Sequence, residues 1–284
     1  MTASTLDDQL RVRIEQIAKA NGTVACAVAV HDLDTDFRFG LKSDRVFHAA
    51  STIKVAILLA VMKAIDEGRF RLSDPLQVRN RFLSVVDGAP YRLSADSDGY
   101  PQLYKVIGRT ARIGALAESM IIWSSNLATN LLLDFVGVEN AMRYLKEAGV
   151  SGVYLRRGVE DSRAHEQGLN NETTADGLVQ LFGVLRSDFL SKPTRGEVML
   201  ILLGQKFTSM IPAGLPAHAT VAHKTGEIST VCHDAGIVYL PEREPYIVAI
   251  LTEVDPKANG ARRETVAKIS EAVYETVTGR ARGK

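Results

Sequence analysis

The chain has 284 residues, 46% of them apolar, which is enough to bury a sizeable core in one domain or two closely joined ones. Its 34 basic and 33 acidic residues leave a net charge of +1. The basic clusters at 79–81 and 261–263 are too short to suggest a nucleic-acid or acidic-lipid partner.

In chain order, residues 5–20 read as an amphipathic helix, with Leu6, Leu10, Ile14 and Ile17 at helical spacing. The N-terminal segment "MTASTLDDQLRVRIEQ" has no apolar stretch of the signal-peptide kind. The expectation is therefore a cytoplasmic protein, or a periplasmic or secreted one if a leader has been removed. "TVACAVAVHDL" and "DFRFGL" read as strands joined by an Asp-rich turn. Residues 51–67 read as a helix, 84–102 as a polar loop or small hairpin, and 112–122, 126–136 and 138–148 as helices. A helix over 173–187 is capped by Thr173 or Thr174, and another covers about 193–204. Strands return at "ATVAHKTG", "TVCHDAGIVYL" and "PYIVAILTE", and a helix over about 260–278 closes the chain. No apolar run reaches the roughly 18 residues of a membrane span.

This order suits an antiparallel sheet built from both chain ends, flanked by the N- and C-terminal helices, with an all-helical subdomain inserted: an α/β, or α+β, fold. The expected boundaries are 1–50 plus 206–284 for the sheet and 51–205 for the helices. A cleft beside such an insertion is a common place for a small-molecule site. Cys26 and Cys232 lie in strand-like runs and read as buried thiols, although one pair does not exclude a disulfide.

Three short segments carry chemistry. Ser51 and Lys54 stand three apart at the head of an apolar helix, where they share a face. A serine hydroxyl becomes a nucleophile when a neighbouring base takes its proton, and a buried lysine of lowered pKa is such a base. Ser124 and Asn126 bring a hydroxyl and a carboxamide to a loop–helix junction. Lys224-Thr225-Gly226 ends a strand-like run, with a cation and a hydroxyl for a carboxylate and a glycine for close approach. Each has an ordinary structural reading taken alone, and S-x-x-K arises by chance about once per chain of this length. K-T-G arises in only a few chains per hundred.

S-x-x-K, S-x-N and K-T-G in this order resemble the set shared by class A β-lactamases and penicillin-binding proteins. The likeness runs from the first strand to the last helix and includes "HDAGIVYLPEREPYIVAILTE". It implies the β-lactamase/DD-peptidase fold and these roles. Ser51 attacks a carbonyl and is acylated, and Lys54 takes part in its activation. Ser124 relays a proton to the departing nitrogen. Asn126 binds the substrate amide, and Lys224 and Thr225 bind its carboxylate. The backbone N–H groups of Ser51 and Glu227 form the oxyanion hole. Ser125 stands where the family usually has aspartate, which is expected to loosen the local hydrogen bonding.

The resemblance also implies a loop glutamate that activates water to hydrolyse the acyl-enzyme. "EQGLN" offers Glu166 with Asn170 to orient the water, whereas counting forward from Ser124 and from "LRR" favours Glu160; the balance falls on Glu160. The implied substrate is a small β-lactam or acyl-D-amino-acid-like molecule. No cofactor is implied and no metal, since the six histidines show no ligand spacing and His218 and His223 read as structural. No nucleic-acid or membrane partner is expected, and a monomer is. Three readings stand: a class A-like β-lactamase, a related serine esterase or D-alanyl peptidase, and a penicillin-binding domain that acylates and stops.

Overall fold

The helical spacing at the start of the chain produces α1, Ala3–Ala20, followed by β1 (Thr23–Asp32) and β2 (Arg38–Leu41). A 3-10 turn, Ala50–Ile53, runs directly into α2, Lys54–Asp66. Next come α3 (Ile113–Ile122), α4 (Asn126–Val136) and α5 (Val138–Glu147). They are followed by α6 (Ser162–Glu166), α7 (Ala175–Arg186) and α8 (Lys192–Leu203). Strands β3 (Thr220–Ile228), β4 (Val231–Tyr239) and β5 (Tyr246–Val254) precede α9, Arg262–Ala281. The structure, a computed structural model, describes residues 3–256 and 261–281. Residue 260, the expected start of the last helix, lies outside the described residues.

The chain divides into two units. The first holds Met1–Thr52, Thr173–Gly183 and Phe207–Lys284; the sequence had grouped 173–183 with the helices. Its antiparallel sheet has the order β3-β4-β5-β1-β2. The two chain ends meet where β1 pairs with β5, Val28 opposite Ile250 and Val30 opposite Val248. Leu10 and Ile14 of α1 and Val266, Ile269 and Val273 of α9 bury that face. The opposite face carries Ala29, Ala249 and Ala235 in register across three strands, all buried. Burial on both faces explains why these strands read as near-continuous apolar runs rather than alternating ones. Thr174, not Thr173, caps α7, accepting from Gly177 N–H at 2.9 Å.

Cys26 and Cys232 both lie in register with Thr252, on opposite sides of β5. Two strand spacings, about 9.5 Å, separate them. A disulfide needs Cα atoms within about 7 Å, and both thiols are free and buried.

The second unit, Ile53–Glu172 and Val184–Lys206, is built round α2. Lys54 to Met62 are all buried, and the helix packs against α3, α4, α5 and α8. A helix apolar all round belongs at the centre of a bundle. The polar stretch forms a hairpin, Phe82–Leu83 with Pro90–Tyr91, and two 3-10 turns, Ala95–Ser97 and Pro101–Val106. Pro75–Gln77 pairs with Thr110–Arg112, a ladder too short to leave a period in the sequence. No helix among the described residues is long and apolar enough to cross a membrane.

Candidate active site

The sequence places Ser51 at the start of an α-helix, but it lies in the preceding 3-10 turn, and α2 begins at Lys54 with no side-chain cap. The reason is local. Ala50 adopts a left-handed φ of 46°, its N–H donates to His48 Nδ1 at 3.0 Å, and Thr52 returns both its N–H and its hydroxyl to Ala49 O. The turn is tied to the residues before it rather than to a helix. A Cβ on Gly226 of β3 would lie 3.0 Å from Thr52 N and 3.1 Å from Ser51 N. A side chain there would push the backbone of Ser51 and Thr52 away by a few tenths of an ångström.

In the helical unit, the ammonium of Lys54 meets three acceptors: Ser124 O at 2.7 Å, Ser124 Oγ at 3.1 Å and Asn126 Oδ1 at 2.8 Å. These match its three donors. Burial pushes the amine down to about 7, against the pull of the Asp98 and Glu160 carboxylates, which raise it. A lysine so placed exchanges a proton near neutrality.

Asn126 donates to Glu160 Oε1 at 2.6 Å, completing a chain Lys54–Asn126–Glu160. Glu160 is held from both sides. Its predecessor Val159 is clamped by Asn130, which donates to Val159 O at 3.0 Å and accepts from Val159 N at 2.7 Å. Its successor Asp161 caps α6 and accepts from Ser84 Oγ and Val85 N. Glu160 and Ser124 have φ values of 59° and 57°, in the left-handed region that non-glycine residues rarely enter. Such strain costs about 1–2 kcal/mol per residue and gathers at functional sites.

Glu166 and Asn170 do not join this cluster. Glu166 is exposed at the end of α6. Asn170 Oδ1 accepts from Arg157 at 3.1 Å and lies 3.0 Å from His165 Nδ1. With Arg157 Nε on Leu169 O at 2.7 Å, it closes the base of the loop.

In the sheet unit, Lys224 is fully buried on the edge strand β3 and donates to Thr225 O at 2.8 Å. Thr225 is buried and lies opposite Asp234, whose carboxylate sits 2.9 Å from His223 Nδ1 and accepts from Ile211 N at 3.0 Å. His223 is thus a buried partner of Asp234, as its structural reading requires. The Glu227 side chain pairs with Arg263 at 2.8 Å, leaving only its backbone for the expected role. Among the described residues no group of three or more His, Cys, Asp or Glu is placed to hold a metal ion.

One further residue, Asp98, was not read from the sequence. Asp98, buried in the polar stretch, accepts from Leu127 N at 2.8 Å, Tyr100 N at 2.8 Å and Tyr104 OH at 3.1 Å. Ser125 caps α4 by accepting from Ala128 N at 3.2 Å. A serine cap and a carboxylate from another loop thus take the N–H groups of Ala128 and Leu127 at the start of α4. Tyr100 also stacks on the exposed Trp123, ring centroids 6.1 Å apart. Asp98 lies 28 residues before Asn126 without a periodic signal, so only the fold joins them.

Comparison with known proteins agrees over nearly the full length. The profile of the beta-lactamase enzyme family matches residues 9–277. Beta-lactamase ROB-1 of Haemophilus influenzae is 24% identical over 282 residues, covering 97% of this chain and 83% of its own. A point variant of PBP-A, solved as its acyl-enzyme with penicillin G, superposes with a TM-score of 0.80 at 27% identity, covering 98% of this chain and 97% of its own. A beta lactamase from Xanthomonas campestris gives a TM-score of 0.83 at 23% identity over 96% of this chain and 98% of its own, which speaks for the fold.

Proposed function

The chain belongs to the beta-lactamase enzyme family, and from that premise we propose that it is a serine hydrolase that opens β-lactam rings through an acyl-enzyme on Ser51. The observation that carries this reading is the Lys54–Asn126–Glu160 chain, with the Lys54 amine pushed down to about 7.

In the proposed cycle, neutral Lys54 takes part in removing the Ser51 proton as the hydroxyl oxygen attacks the lactam carbonyl. The developing oxyanion is held by the N–H groups of Ser51 and Glu227. Ser124, already bonded to Lys54, passes a proton to the departing ring nitrogen. Lys224 and Thr225 bind the substrate carboxylate, and Gly226 keeps the approach open. Glu160 then takes a proton from water as that water attacks the ester; the bond from the acyl carbon to Ser51 Oγ breaks, Ser51 regains a proton through Lys54, and the acid leaves. The bond from Asn126 and the clamps on Val159 and Asp161 support Glu160 for this step. The substrate is a small β-lactam, and no cofactor is required.

A second reading is favoured by the likeness to PBP-A, whose variant is solved with penicillin G still attached: an esterase, D-alanyl peptidase or penicillin-binding enzyme that acylates alike and releases its product slowly. Hydrolysis of a chromogenic cephalosporin, a p-nitrophenyl ester and a D-alanyl-D-alanine peptide by the wild type and Ser51→Ala separates the two. The proposal expects cephalosporin turnover that Ser51→Ala abolishes. Turnover of only the ester or peptide would establish the second reading, and activity surviving in Ser51→Ala would remove Ser51 as nucleophile.

A further inference from the structure

The strained turn before Ser51 is fixed by two histidines that belong to none of the three motifs. Ala50 holds φ at 46° without being glycine. Such a conformation persists only where the surroundings over-determine it. Its N–H is taken by His48 Nδ1 at 3.0 Å, and the carbonyl of His48 lies 3.0 Å from His233 Nε2 on β4. The other nitrogen of His233, Nδ1, receives the backbone N–H of Thr252 on β5 at 3.1 Å. A nitrogen that accepts an amide proton carries none itself, so the single proton of His233 sits on Nε2 and is donated to His48 O.

The tautomer is therefore set by the sheet. Burial pushes His233 down to about 4, which keeps it neutral at ordinary pH. The edge of the Phe47 ring meets it at 87°, centroids 5.8 Å apart. An apolar residue at 233 would fill the space but leave His48 O and Thr252 N–H without this partner. Packing alone does not call for an imidazole here.

We infer that His233 and His48 are positioning residues for the nucleophile, a strut from β4 and β5 that holds Ala50 left-handed and so aims the hydroxyl and backbone N–H of Ser51. Neither side chain touches the reacting atoms. The inference rests on the reading of Ser51 as nucleophile. It adds that the placement of Ser51 is set from the sheet, through the only ring tautomer the Thr252 amide allows.

The test uses the full chain and penicillin G, with the acylation rate constant measured per titrated active site by rapid-quench intact mass. His233→Asn keeps an acceptor for Thr252 N–H but is too short to reach His48 O. His233→Gln keeps a donor for His48 O. His48→Ala removes the acceptor for Ala50 N–H while keeping the backbone carbonyl that His233 meets, and serves if His233→Asn folds poorly. Acylation per titrated site should fall about tenfold or more in His233→Asn and His48→Ala, the scale of a misaimed oxyanion donor. Non-covalent affinity should change little, and His233→Gln should recover most of the rate. Wild-type acylation rates in His233→Asn or His48→Ala, whatever happens to their melting temperatures, would overturn the strut alone. Wild type that neither hydrolyses penicillin G nor forms an adduct on Ser51, even a transient one, would overturn the hydrolase reading and the strut with it.

Discussion

Lys54 shows how far single residues can be read from a sequence. Its spacing from Ser51 was visible, but its three acceptors, drawn from 70 and 72 residues away, were not. Its burial has a kinetic consequence. The neutral amine is the form that accepts a proton, and its population rises with pH through about 7. The rate constant kcat/KM should therefore fall about tenfold per pH unit below that point and level off above it, as a pH–rate profile will show. Asp98 raises Lys54's affinity for its proton, so Asp98→Asn should move this acid limb to lower pH. A limb that stays in place would mean that Lys54 is not the titrating group. Asp98 itself was illegible, because a lone aspartate in a polar loop looks like any solvated turn.

At the scale of elements, most helices followed from apolar period and the long strands from near-continuous apolar runs. What the sequence could not give was the break between the 3-10 turn and α2, since both lie in one apolar run and the break is made by hydrogen bonds to His48 and Ala49. Counting forward from Ser124 and from "LRR" already favoured Glu160 over Glu166, and the clamps on Val159 and Asp161 support the same proposal. The tight approach of β3 to the nucleophile turn yields a test. Gly226→Ala puts a Cβ 3.0 Å from Thr52 N and Thr52 Cγ2, so the turn must shift by a few tenths of an ångström. The expected result is a loss of kcat of about tenfold or more, with stability reduced by only about 1–2 kcal/mol in urea unfolding.

At the scale of the whole molecule, the antiparallel sheet with its flanking helices was legible because its strands are long and buried on both faces. Placing 173–183 with the sheet required three dimensions. The two cysteines, left open by the sequence, are settled by strand register. Both thiols are pushed up to about 12 by burial. Reducing agent should leave Tm unchanged, and alkylation should proceed only as the protein unfolds; a reductant-sensitive Tm would contradict the register. In the helical unit, Leu59 is fully buried in α2, and Leu59→Ala should cost about 3 kcal/mol of unfolding free energy.

The central claim is an acyl-enzyme on Ser51 released with help from Glu160. Its most direct test is intact-protein mass spectrometry of the wild type, Glu160→Gln and Glu166→Gln during incubation with a chromogenic cephalosporin, with the adduct mapped by peptide digestion. The account predicts rapid turnover without lasting adduct in the wild type and Glu166→Gln, and a stable adduct on Ser51 in Glu160→Gln. An adduct on another residue, or Glu160→Gln turning over at the wild-type rate, would contradict it.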